Sequence, residues 1–88
     1  MTKTLTLSSE YIQQPDLVDR CINGERLAQK QLYDQYKAAM FTIALRILND
    51  YDMACDALQD AFIEVFKDLK TFKRQSTLGA WIKTIVIR

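Results

Sequence analysis

Apolar residues recur at three- and four-residue steps along most of the chain after Pro15, the repeat of one helical face. The clearest run is Asp52–Phe72, where Ala54, Ala57, Leu58, Ala61, Phe62, Val65 and Leu69 fall on one side. Before it, Leu32, Tyr36, Met40, Ile43, Ala44 and Ile47 form a stripe, with Leu27, Phe41 and Leu48 alongside. That stripe predicts a helix from Glu25 to Leu48, roughly 36 Å long at 1.5 Å per residue. Asn49–Asp52 breaks the pattern, and Asp52 is the expected N-cap of the next helix. Two shorter helices are expected at the ends. One starts at Pro15, uses Leu17, Val18, Cys21 and Ile22, and stops at Asn23-Gly24, residues that tolerate a left-handed cap. The other is Leu78–Arg88, with Trp81, Ile82, Ile85 and Val86 on its apolar side and Ser76 or Thr77 as its cap. Strand signals are thin, the β-branched cluster Thr84–Ile87 being the main one. The fold class expected is all-α: a compact bundle of about four helices, built on a long antiparallel helical hairpin. Residues 1–15 read as a flexible leader and 16–88 as the domain. The helical pattern is unfinished at Arg88, which suggests a piece of a longer chain.

Composition narrows the chemistry. The chain has 88 residues, enough for one small domain with a modest core. It contains no histidine, and Cys21 and Cys55 stand far apart without a CxxC pair, so no zinc site is expected. Gly24 and Gly79 are isolated, which leaves no phosphate-binding glycine loop, and no nucleophile has a base beside it. The reading is a non-enzyme with no metal and no cofactor. Neither a signal peptide nor an apolar run of membrane length is present, so a reducing, cytoplasmic location without membrane insertion is expected.

Net charge is only +1, but it is unevenly placed. Asp52, Asp56, Asp60, Glu64 and Asp68 recur every four residues, and no lysine or arginine occurs from Asp50 to Phe66. Like charges at that spacing repel by roughly 0.2–0.5 kcal/mol per pair. Such a face is either a solvated surface or one built to meet something basic. Downstream the sign reverses: Lys67, Lys70, Lys73, Arg74, Lys83 and Arg88 surround Phe72 and Trp81, with Thr71, Gln75, Ser76 and Thr77 between them. Cations neutralise phosphates, aromatic faces stack unpaired bases, and small polar groups read a base turned out of its stack. From composition alone the two rings read first as core residues.

The ordered set of motifs resembles a known family. "ALQDAFIEVFKDLKTF" followed by "STLGAWIKTIVIR" is similar to region 2 of bacterial sigma factors, the sigma-70 family of RNA polymerase. Upstream, "NGERLAQKQLYDQYKAAMFTIALRILND" looks like the start of that region in the extracytoplasmic-function class, which typically reads A-F-x-x-L-Y-x-x-Y, then A-x-R, D-L-V-Q-E-V-F and W-L-x-x-I. The resemblance runs from about Asp16 to Arg88. It implies a transcription initiation domain that binds RNA polymerase core through the clamp helices of the largest subunit. Asp56, Gln59, Asp60 and Phe62 match the docking motif. It further implies that the loop and last helix recognise and melt the promoter −10 element by capturing bases of the non-template strand. The matching DNA-side residues are Lys70, Phe72, Lys73, Arg74, Gln75, Ser76, Thr77, Trp81, Lys83, Thr84 and Arg88. An anti-sigma factor is a further implied partner.

The sequence departs from the family pattern in places. Asp60 stands where glutamate is usual, Thr77 where phenylalanine is common, and Arg88 where asparagine is common. The last two departures keep open a helical protein-interaction adaptor without DNA binding. A helix-turn-helix repressor fits less well, because Leu78–Ile87 is poor in base-reading groups.

Overall fold

A computed structural model describes residues 16–88, and the expected leader lies outside them. Among the described residues four helices follow in order: α1 (Leu17–Ile22), α2 (Arg26–Leu48), α3 (Tyr51–Asp68) and α4 (Leu78–Ile87), with a 3-10 turn, Leu69–Thr71, closing α3. No strand occurs among the described residues, and Thr84–Ile87 is helical.

The caps explain the boundaries. Asp16 caps α1, its carboxylate accepting from Asp19 N at 2.9 Å, and Gly24 turns left-handed at φ +84° just beyond the helix. Asn49 ends α2 in the left-handed conformation at φ 53°. The cap of α3 is Asp50 and not the expected Asp52: Met53 N donates to its side chain at 2.9 Å, so the turn is tighter than the sequence pattern suggested. Thr77 caps α4, with Ala80 N donating to Oγ1 at 3.2 Å.

Helices α2 and α3 form the antiparallel hairpin, and small buried residues (Ala28, Ala44, Ala54, Ala61) line their buried faces. Leu32, Met40, Leu58, Phe62, Val65 and Leu69 fill the core, Val18 and Cys21 close one end, and Ile82 and Ile85 of α4 pack on both long helices. Gly79 permits that last contact. A Cβ there would meet the Tyr36 ring edge at 3.2 Å. Nothing polar or charged is buried among the described residues. Two apolar residues of the expected α2 pattern are outside the core: Ile47 of the stripe is 57% exposed, and Leu27 alongside it 78%. Buried Ala28 and Leu32 set the inward face, and Leu27 lies about 100° round from Ala28.

Candidate functional site

The exposed face of α3 carries Asp52, Asp56, Gln59 and Asp60. The three acids make no ion pair with any described residue. The last two acids of the stripe differ. Arg88 donates to Glu64 Oε2 and stands 3.8 Å from Asp68 Oδ2. The stripe therefore divides into an open acidic half and a neutralised half.

Phe62 does not belong to the docking surface assigned to it from the motif. It is 3% exposed and stands edge-on to Tyr33, ring centres 5.0 Å apart. Its place in the Leu58–Ala61–Phe62–Val65 face commits it to the core. The apolar residue actually offered beside the acids is Ile63, 66% exposed, one turn from Gln59 and two from Asp56. Sequence reasoning missed it, although an isoleucine off the inward stripe was the available signal.

The second surface opens where α3 ends. Phe72 and Trp81 are half-buried, ring centres 5.3 Å apart and tilted 41°. They rest on the core and also line a cavity of about 260 Å³, together with Thr71, Lys73, Gln75 and Ser76. The rings are thus partly core and partly cavity wall. Lys70 and Lys73 are exposed beside this cavity in sequence, without an ion pair among the described residues. Lys83 is also exposed but does not line the cavity, being two positions, about 200°, round α4 from Trp81. Thr71, one of the small polar residues of the basic stretch, joins the lining.

Four expected DNA-side groups are engaged within the fold. Arg74 turns toward α1: Nη1 donates to Asp16 Oδ2 at 2.5 Å and Nη2 to Asp19 Oδ1 at 3.0 Å. The bonds hold the Asp16 carboxyl below the usual carboxylate range, chiefly through the Arg74 guanidinium, and raise Arg74 in turn. Thr77 is used as the α4 cap, and the Thr84 hydroxyl donates to Trp81 O at 2.6 Å. Arg88 faces the acids of α3. Arg74 and Arg88, expected on the DNA side, thus each pair with carboxylates of the fold itself. Each cation has found carboxylates more than twenty residues away in sequence. Among the described residues no group of His, Cys, Asp and Glu could hold a metal, and no helix is long and apolar enough to cross a membrane.

Comparison with known proteins gives these surfaces a family. The family model described as Sigma-70 region 2 matches residues 32–88. The chain belongs to the sigma-70 family. A probable RNA polymerase sigma factor of Haemophilus influenzae is 42% identical over 52 residues, 59% of this chain and 27% of that protein. The RNA polymerase sigma-H factor of Pseudomonas aeruginosa is 31% identical over 81 residues, 92% of this chain and 41% of that protein. The chain thus spans less than half the length of either relative. No solved structure matches it significantly. The matched segment of this sigma-70 domain includes α3, the aromatic cavity and α4.

Proposed function

We propose that this domain binds RNA polymerase core and holds unpaired bases of a promoter −10 element, as a non-enzymatic initiation module of the extracytoplasmic-function class. The observation that carries the reading is the division of one rigid helix. The exposed side of α3 presents Asp56, Gln59, Asp60 and Ile63, while its end opens into the lysine-flanked cavity of Phe72 and Trp81. The two surfaces can be occupied together. The acidic side fits a basic coiled coil, which would also remove the repulsion between neighbouring carboxylates. The cavity fits one base turned out of a single strand, stacked on a ring and touched by Gln75, Ser76 or Thr71.

Melting follows from selection. A site that accepts bases only when unpaired shifts the duplex toward its open form by its differential affinity, with no chemical step. On this reading the protein works in the cytoplasm, and its exposed docking face is also where an anti-sigma factor would compete. Fluorescence anisotropy at low salt tests the DNA half. A single-stranded −10-like oligonucleotide should bind more tightly than its duplex and lose affinity with Lys73→Ala or Trp81→Ala. Equal binding of both forms, or no dependence on oligonucleotide sequence, supports the adaptor instead.

A further inference from the structure

Arg74 occupies a conformation that arginine rarely adopts. Its φ is +59°, in the left-handed region natural to glycine. What the conformation achieves is direction: the guanidinium reaches α1 and bonds to both Asp16 and Asp19, across 58 and 55 positions of sequence. Asp16 is at the same time the α1 cap, and α1 is anchored in the core by Val18 and Cys21. The arginine therefore fastens the middle of the Phe72–Thr77 loop to a fixed support. Its chain neighbours on either side, Lys73 and Gln75, line the aromatic cavity, and Arg74 itself does not.

We propose that Arg74 is a positioning residue: its ion pair with Asp16 and Asp19 holds the loop that shapes the Phe72–Trp81 cavity, and the guanidinium does not itself bind phosphate. The nucleic-acid part of this inference rests on the proposed function, and the fastening of the loop does not. The physical alternative is a phosphate-binding arginine that is parked on α1 in the free protein. The two roles predict opposite signs for one perturbation. Neutralising the carboxylates removes negative charge and releases the arginine. A phosphate ligand would then bind DNA more tightly, whereas a positioning residue would lose its anchor and bind it less well.

The test uses the 88-residue chain with Asp16→Asn and Asp19→Asn together. Asparagine preserves the α1 cap, so the fold should survive. Single-strand affinity should fall about fivefold, the size of one well-formed surface ion pair. The slope of log K against log salt should be unchanged in Arg74→Gly, a variant that suits the left-handed backbone. Loss of a phosphate contact would instead reduce that slope by about 0.7. Tighter binding by the double variant, or a reduced slope for Arg74→Gly, overturns the proposal. A readout independent of DNA separates it from the function itself. Trp81 is the chain's one tryptophan, and it lines the cavity. Its emission should shift to the red in both variants as the loop loosens. Unchanged emission overturns the positioning role whether or not the wild type binds DNA. Failure of wild-type binding with shifted emission removes the DNA reading and leaves the fastening intact.

Discussion

Adjacent positions on α3 should respond to truncation in opposite ways. Phe62 is 3% exposed, edge-on to Tyr33 at 5.0 Å and tilted against Phe66 at 6.2 Å. Phe62→Ala removes a buried ring together with its aromatic pairing, at a total cost of about 3–5 kcal/mol. A domain of this size is stable by about 5–10 kcal/mol in all, so the variant should lose half of that or more. Ile63 is 66% exposed. Ile63→Ala should leave stability within about 0.5 kcal/mol, since alanine is also the better helix former. If Ile63 is the apolar anchor among the docking acids, its loss should weaken polymerase binding by about 1–2 kcal/mol, roughly 5- to 30-fold. Urea denaturation gives the first quantity and titration against polymerase core the second. Unfolding of Phe62→Ala at the wild-type midpoint, or wild-type affinity of Ile63→Ala for polymerase, would refute this assignment of the two side chains.

Acid should loosen the α1–loop connection. The Asp16 carboxyl is held low by Arg74, and a depressed carboxylate contributes stability above its unfolded value, about pH 4, that is lost as pH falls through the lower folded value. Asp34, held low by Lys30 and Lys37, acts in the same direction. Thermal melts from pH 5 down to pH 2 should therefore show a smaller decline for Asp16→Asn than for the wild type; parallel curves would contradict this. Gly79→Val should destabilise by about 1–3 kcal/mol, because a branched side chain cannot fit where a bare Cβ already meets Tyr36 at 3.2 Å. Gly79→Ala should be near neutral, its helix-propensity gain of about 1 kcal/mol offsetting a small shift of the half-buried Tyr36 ring. A large loss for the alanine variant in chemical denaturation would mean that ring cannot move.

The helical bundle was legible because period and caps agreed. Leu32, Met40 and Ala44 on α2, Ala54, Leu58, Ala61, Phe62 and Val65 on α3, and Leu69 just after it are buried as their spacing implied, with Ala57 half-buried. Local chemistry misled at single residues. Asp50 and Asp52 are both plausible caps, and only the turn geometry after the left-handed Asn49 decides for Asp50. At the site, the aromatic cavity was legible as a cluster of residue types around Phe72 and Trp81. The ion pairs of Arg74 and Arg88 were not legible, because a cation's partner is a tertiary fact. Nothing local in the sequence announces Asp16 as the neighbour of Arg74, or Glu64 as that of Arg88. Phe62 was assigned two incompatible roles, core by period and docking by motif, and its burial decides between them.

The unpaired acids of α3 are the proposed meeting place with a basic partner. Asp56 and Asp60 are exposed and without an ion pair among the described residues, so reversing them leaves the core untouched. Asp56→Lys with Asp60→Lys should cost at least roughly 2 kcal/mol of polymerase-core affinity, about 30-fold, while the melting curve and single-strand DNA binding of the free domain are kept or, for the DNA, strengthened. Undiminished binding of the reversed variant to polymerase core would contradict the account.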